Sequence, residues 1–351
     1  MLADLARRSG RPVVAFDLFG DLDLHRSAGR VVTRRSLTAL VDAAVREAPG
    51  AVVYGPSFEN HPALVGRLGE RHALLGNQPS TLRAVRDPAQ LGAALGELRY
   101  PRTTVTAPSS GRWLRKPLRG GGGIRVREWR GGALPAGTFL QERIDGVACS
   151  AAAVGDGKDA VVLGLTEQLV GQRAFGVRGH RWCGNLVPPR LPTRELLDQA
   201  RAICSCLAGA FALRGSFGVD FMWDGHRAWT VEVNPRPTAS LEAVEAAYGV
   251  DVFDAHLRGC AGELPQGEAE PLRAAGKAVL FATEDVVIGD SERWPQRGVR
   301  DVPHPGERIA ARRPICTVVT TAASPQDALA GLEEEAARLR AELKVEVPAG
   351  G

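Results

Sequence analysis

The clearest amphipathic pattern lies at residues 193–212. There Leu196, Leu197, Ala200, Ile203, Leu207 and Phe211 recur at helical spacing and predict a helix with one apolar face. Directly afterwards the period changes to two. Phe217, Val219, Phe221 and Trp223 alternate with Gly218, Asp220 and Met222, and Trp229, Val231 and Val233 alternate with Thr230, Glu232 and Asn234. This predicts two strands joined by a short turn containing Asp224-Gly225. A loop of odd length, three or five residues, would turn Asp220 and Glu232 to the same side.

Upstream, residues 1–16 read as a helix followed by a strand (Pro12 to Phe16). A helix at 37–48, a strand at 51–55, a helix at about 62–70 and a strand at 72–77 follow. Such alternation predicts a small parallel sheet with helices on both faces, so the first unit, 1–79, is α/β. It opens on a helix where a first strand is expected, which leaves open whether the true N-terminus lies upstream of Met1. Residues 80–100 read as a helical link. From Gly111 to about 165 the pattern shifts to short strands and Gly turns, including a strand at 138–144, which gives this part an α+β character. Helical periodicity returns at 240–260, and Pro265 to Pro271 reads as a linker. The last unit, 272–345, shows a strand at 278–282, another near 316–321 and a closing helix at about 325–343. The expected units are therefore 1–79, 80–264 with a sub-unit at about 111–165, and 272–345. No internal repeat is evident.

Composition narrows the class. The 351 residues, 44% hydrophobic and 24% charged, suit a soluble protein of two or three packed units. No apolar run is long enough for a membrane span, and the first residues, with Asp4 among them, do not form a signal peptide. The six cysteines show neither Cys-x-x-Cys nor zinc spacing, which points to reduced thiols in the cytoplasm. Cys204 and Cys206 fall in the apolar helical run, where burial is expected. Net charge is +4 with basic residues scattered, so nucleic acid is not an expected partner. The skew toward Arg leaves Lys only at positions 116, 158, 277 and 344, and Asn only at 60, 77, 185 and 234. A residue type that survives such a bias marks a position where its chemistry is needed.

Three stretches carry candidate chemistry. Asp220, Glu232 and Asn234 on one strand face make an all-oxygen cluster of the kind that holds Mg²⁺; the alternative is a hairpin with its polar face turned to water. Lys116 stands four residues ahead of Gly120, Gly121, Gly122 and Gly123. Consecutive glycines let backbone amides fold over an anion, and the ammonium adds a point charge for phosphate. The order, Lys before Gly on a strand, is the reverse of a P-loop; a flexible hairpin tip is the other reading. Phe139 to Gly146 follows as an edge strand whose free peptide groups suit a base, with Glu142 or Asp145 to accept from base or ribose. The loop Gln172 to Pro189, with Arg173, Phe175, Arg178, His180, Arg181, Trp182 and Asn185, and the preceding Gln168, suits an anionic, partly aromatic substrate or equally a solvated basic loop. Glu59 and Asn60 sit at a strand end where open α/β sheets bind ligands, or cap the helix starting near Pro62.

In this order, Lys-Pro with glycines, Gln141-Glu142-x-Ile144-x-Gly146, then Asp220 and Glu232-x-Asn234-Pro235-Arg236, the chain resembles the ATP-grasp superfamily. It is most similar to the branch of predicted ATP-dependent carboligases related to biotin carboxylase. Asp17 to Asp23, Gly55 to Asn60, Gly76-Asn77-Gln78-Pro79 and Asp301 to Gly306 extend the resemblance along the chain. The resemblance implies an ATP-grasp fold with an N-terminal Rossmann-like pre-ATP-grasp domain and a small C-terminal carboxylase-like domain. It implies that Lys116 contacts ATP phosphates, that Gly120 to Gly123 form the lid, and that Gln141, Glu142 and Ile144 hold adenine. It further implies that Asp220, Glu232 and Asn234 bind Mg²⁺ (or Mn²⁺), and that Arg236 stabilises an acyl phosphate or tetrahedral species. Ala148 stands where many members place a ribose-binding Glu, and Asp145 is the expected substitute. The implied activity is a carboxylate–amine ligase releasing ADP, such as an amino-acid ligase of methanofuran or tetrahydromethanopterin type. The alternatives are a biotin-dependent carboxylase with a separate carrier, or a non-catalytic ATP-binding module. Small-molecule carboxylates and amines are the implied partners, with a homodimer as a compatible assembly.

Overall fold

The computed structural model describes residues 1–96, 99–266 and 270–345. The expected linker 265–271 lies partly outside them. The helix Leu2–Arg8 is followed by two pairs of parallel strands, Val14–Asp17 with Arg30–Thr33 and Ala51–Val52 with Ala73–Leu74. Helices Leu37–Ala44 and Pro62–Gly69 close over them, burying Val41, Ala44 and Leu68 against Phe16, Val52 and Leu74. Pro62 opens the second helix, and it is Ser36 that caps the first, accepting from Ala39 N. The expected helical link at 80–100 is two helices, Pro79–Val85 and Pro88–Leu95. Pro88 cannot continue the first helix, and Asp87 caps the second.

A seven-stranded antiparallel sheet forms the body. Its strand order is Ala228–Asn234, Arg214–Trp223, Val147–Asp156, Ala160–Val170, Trp182–Val187, Ala274–Phe281 and Pro314–Ala322. The helix Arg194–Phe211 lays Leu196, Ala200, Ile203, Cys204 and Leu207 on one face, against Cys149, Ala151, Phe217, Val219 and Phe221. Helices Leu241–Tyr248 and Val252–Ala261 cover Ala152, Val187 and Ala275. Ala151, Ala152 and Ala153 are thus buried on both faces, which explains why this strand lacks the half-polar alternation of an exposed sheet. The helix Pro325–Glu342 packs Ala328, Leu332, Ala336 and Leu339 on the two last strands.

Two expected boundaries meet this sheet. A separate four-stranded sheet, ordered Thr103–Thr104, Thr138–Glu142, Trp113–Pro117 and Arg127–Glu128, ends before Val147. The stretch 147–165, expected with it, belongs instead to the large sheet. The strands of the last unit extend that sheet through the pairing of Trp182–Val187 with Ala274–Phe281. All six cysteines are free thiols. Among the described residues no helix is long and apolar enough to cross a membrane.

Candidate active site

A cleft of about 1460 Å³ lies between the small sheet, the large sheet and the N-terminal unit. Its floor is the hairpin 214–234. The hairpin loop has four residues, 224–227, since Trp223 pairs with Ala228, so the expected odd length is not what aligns the acids. An even loop would send Asp220 and Glu232 to opposite faces. A β-bulge at Val231 corrects this: the register shifts between Phe221–Thr230 and Asp220–Glu232, and the acids become direct partners. The same shift splits the expected apolar face of the second strand. Thr230, paired with Phe221, is buried beside the core residue Val233, while Trp229 pairs with Met222.

Asp220 lies beside Glu232, and Asn234 Nδ2 donates to Asp220 Oδ2 at 3.2 Å. Burial first, and the neighbouring Glu232 second, push the Asp220 carboxyl up to about 7. Among the described residues no three His, Cys, Asp or Glu side chains gather for a metal; the third oxygen here is the Asn234 amide. Two carboxylates and one amide oxygen would suit Mg²⁺ once the Asn234 amide turned its Oδ1, which here accepts from Arg236, toward the acids. The repulsion that lifts Asp220 is what such a cation relieves.

The bulge has a second use. Lys116 Nζ donates to the carbonyl of Val231, 2.9 Å away, and to Gln141 Oε1 at 3.0 Å. Both acceptors are neutral, so burial holds the Lys116 ammonium below its ordinary range, against the pull of Glu232 and Asp220. Gln141 therefore faces the lysine, one strand over, rather than the sheet edge.

The glycine run is held at both ends. Asn60 Oδ1 accepts from Gly120 N at 3.0 Å, and Arg86 Nη2 donates to Gly120 O at 2.6 Å and to Asn60 Oδ1 at 3.2 Å. Arg86 Nη1 meets Glu232 Oε1 at 2.5 Å, so one guanidinium joins a cluster carboxylate to the loop above it. At the other end Trp182 N donates to Gly122 O at 3.1 Å. Gly123, at φ +70°, lies so near the His180 carbonyl that a Cβ would stand 1.8 Å from its oxygen. Sequence reasoning missed Arg86; the Arg-Asp-Pro break between two helices was its only local signal. It weighed Asn60 as a helix cap, yet the Asn60 side chain serves the glycine loop.

The base-binding expectation is revised at several points. The strand Thr138–Glu142 is interior to its sheet, and Glu142 N and Arg143 N already donate to the carbonyls of Arg102 and Arg112. Glu142 holds Arg102 through two bonds of 2.9 and 2.8 Å, and Asp145 holds Arg112 and Arg143. Both carboxylates thus carry guanidinium partners, while Ile144 to Ala148 still line the cleft. Of the expected substrate residues, Gln168, Asn185 and Glu59 line the cleft; Arg173 and Arg181 do not. Arg181 stacks over Phe281 at 4.4 Å instead. Asn185 is buried, accepting from Trp182 Nε1 at 3.1 Å and donating to Thr166 Oγ1 at 2.6 Å.

Arg236 is anchored rather than free. Its Nε and Nη2 donate to Glu59 Oε1 at 3.1 and 2.8 Å, Nη2 also to Asn234 Oδ1, and Nη1 to Pro237 O. Asn77 Nδ2 fixes the turn by donating to Pro235 O at 3.0 Å, and Tyr54 in turn donates to the carbonyl of Asn77.

Comparison with known proteins bears on this geometry. The family model for an ATP-grasp domain matches residues 91–240. The chain is 31% identical over 154 residues to formate-dependent phosphoribosylglycinamide formyltransferase of Syntrophotalea carbinolica, a stretch covering 42% of this chain and 37% of that protein. The chain thus spans well under half the length of the curated relatives it matches. Biotin carboxylase from Campylobacter jejuni superposes with a TM-score of 0.72 over 98% of this chain and 89% of that one, at 13% identity. N5-carboxyaminoimidazole ribonucleotide synthetase from Thermotoga maritima superposes with 0.67 over 99% and 97%, at 16% identity. At these identities the likeness is one of fold. Residues 91–240 thus match an ATP-grasp domain, set within a fold that has the architecture of biotin carboxylase.

Proposed function

We propose that this chain is an ATP-dependent carboxylate–amine ligase. A substrate carboxylate takes the terminal phosphoryl group of ATP, giving an acyl phosphate and ADP. An amine then attacks the acyl carbon, the bond to phosphate breaks, and an amide and phosphate leave. The observation that carries this reading is the gathering of Asp220, Glu232, Asn234 and Lys116 under the glycine loop in one cleft. Lys116, with a lowered proton affinity but a fixed position, offers an ammonium to phosphate oxygens. Asp220, Glu232 and Asn234 would hold Mg²⁺, which supplies positive charge to the phosphates during transfer. The loop 120–123 excludes water that would otherwise hydrolyse the acyl phosphate. Arg236, whose guanidinium has five N–H groups and four bonds among the described residues, keeps one Nη1 donor for a developing oxyanion.

Oxygen-18 placed in the substrate carboxylate should appear in released phosphate. Label in AMP, with pyrophosphate as co-product, would replace this mechanism by adenylation. The substrate is to be sought by an ADP-release screen that crosses amino acids with amines, starting with the glutamate and tyramine-like pairs of an amino-acid ligase in cofactor biosynthesis, of methanofuran or tetrahydromethanopterin type. A cytoplasmic location and a homodimer go with this reading. The fold likeness to biotin carboxylase supports a second reading, a carboxylase acting with a separate carrier; bicarbonate-dependent ADP release with free biotin would favour it. ADP release that no substrate stimulates would leave only a nucleotide-binding module.

A further inference from the structure

Glu59 is 3% exposed, and its two carboxylate oxygens have unlike surroundings. Oε1 receives both bonds from Arg236, at 3.1 and 2.8 Å. Oε2 is buried and has no hydrogen-bond partner among the described residues. A buried carboxylate oxygen without a donor is costly, so a site that retains one has a donor still to come. The residue lines the cleft beside Arg236, and the adjoining turn Pro56–Ser57 lines it too, with Ser57 held at φ +80°, a conformation that costs a non-glycine residue energy. Arg236 meanwhile retains one unassigned N–H on Nη1. A free acceptor and a free donor therefore sit on two residues bonded to each other.

The cleft as a whole has further carboxylates to offer a cation. Asp17, Asp21, Asp301 and Glu307 also line it, against Arg308 and Arg313. Burial, and then the neighbouring acids with Asp301 foremost, push the Asp21 carboxyl up to about 8. Acids gathered closely enough to oppose one another's ionisation favour an incoming cation.

Resting on the ligase reading, we infer that Glu59 Oε2 receives an N–H of the nitrogen nucleophile, so that the second substrate is a primary amine that arrives as its ammonium ion from the N-terminal side of Arg236. Oε1 and Oε2 then divide the work: one keeps Arg236 aimed at the acyl carbon's oxygen, the other aims the nitrogen at the carbon. Before attack the ammonium gives up one proton to solvent, and Glu59 Oε2 then orients the neutral amine by accepting one of its N–H bonds; the second proton, lost as the amide forms, leaves with the phosphate.

The test separates acyl activation from amine recognition. Hydroxylamine, a small reactive nucleophile, traps acyl phosphates as hydroxamates without needing an amine subsite. Wild-type protein is assayed for hydroxamate with ATP, Mg²⁺ and a panel of amino-acid carboxylates, and the productive carboxylate is then crossed with primary amines such as tyramine and ethanolamine. Glu59→Gln is close to isosteric but keeps a single acceptor, enough for Arg236 or for the amine, not both. It should raise the KM for the amine about tenfold or more, the loss expected for one charge-assisted bond and a change that clearly exceeds whatever fall in hydroxamate formation comes through Arg236. An amine KM within about twofold of wild type, or hydroxamate and amide formation falling together, would reduce Glu59 to a support for Arg236 and overturn the inference. Absence of hydroxamate from wild type with every carboxylate would instead remove the ligase reading, and the inference with it. If melting shows that Glu59→Gln does not fold, Glu59→Asp, which keeps the charge and withdraws the oxygen by one methylene, carries the same readouts.

Discussion

Two lysines, Lys277 buried and Lys116 half-buried, stand beside acids in this molecule, and their electrostatics differ. Lys277 and Glu242 are 3% and 5% exposed and meet at 2.7 Å, with Arg300 Nε on the other Glu242 oxygen at 3.3 Å. Burial opposes the charge on Glu242, but the field and hydrogen bond of Lys277 outweigh it and bring the carboxyl down to about 2. Lys277 shifts up for the reciprocal reason, burial again being overcome by Glu242. At the other lysine the signs reverse: Lys116 is lowered and Asp220 raised. Lys116 spends its bonds on Gln141 and the Val231 carbonyl, and Arg86, not Lys116, touches Glu232. The first cluster is neutralised from within. The second is kept electrically unfinished, as a site must be if a polyphosphate and its cation are to complete it.

The largest expected effect breaks the finished pair. Lys277→Met leaves Glu242 buried against one partner and should cost about 3–5 kcal/mol of stability in denaturant unfolding, most of it recovered when Glu242→Leu is added. A loss under about 1 kcal/mol would deny the contrast. Next, Glu232→Gln should lower ATP turnover about a hundredfold while leaving the melting temperature level or higher, because it removes repulsion from Asp220. Turnover within about twofold of wild type would remove Glu232 from the site. Lys116→Ala should weaken ADP binding in the presence of Mg²⁺ about tenfold by calorimetry, and Lys116→Arg should restore it only in part, since a planar fork replaces a point charge.

A pH series sharpens the same contrast. The Glu242 carboxyl, lowered from its ordinary 4.5 to about 2, contributes stability that is present above about 4.5 and lost as pH falls through about 2. Asp220, raised from 3.8 to about 7, works in the opposite sense: its contribution is present below about 3.8 and lost as pH rises through about 7. In metal-free protein, Asp220→Asn should flatten the melting temperature between about pH 4 and 7; an unchanged slope would assign the effect elsewhere. The smallest effect concerns the loop. Arg86→Ala should speed amide exchange in 119–124 a few-fold without nucleotide. Equal exchange would mean that Asn60 and the His180–Trp182 segment hold the loop alone.

Much of the site was legible because its residues sit in strong local patterns. The alternation around Asp220 and Glu232 predicted the hairpin, and the scarcity of Asn and Lys drew attention to side chains that the fold uses as bonding partners. Asn60, Asn77, Asn185 and Asn234 all bond in or beside the cleft, and among the described residues the Lys116 and Lys277 ammonium groups each hold a fixed side-chain partner. What escaped has no local signature. The bulge at Val231 leaves no mark on side-chain type, so the facing acids were expected for a reason, loop parity, that does not hold. The partners of Glu142, Asp145 and Gly120 come from across the fold, at Arg102, Arg112 and Arg86, each one arginine among many. The limit of the small sheet was misjudged because an alanine-rich interior strand carries no polar alternation to announce which sheet it joins.

The bulge makes the facing of the two acids a property of one residue, Val231, and not of the length of the hairpin tip. The tip is closed on its own by the Asp224 side chain, which accepts from His226 N and Arg227 N, and is stitched to Gln199. Register at the acids and closure at the tip are therefore separately specified. Peptide inserted after Gly225 would be carried as an outgrowth and leave the acids aligned, whereas flattening the bulge so that Val231 itself paired with Asp220 would turn Glu232 to the opposite face. The hairpin is modular: its outer end can be lengthened, tagged or recombined without retuning the chemistry a few residues below.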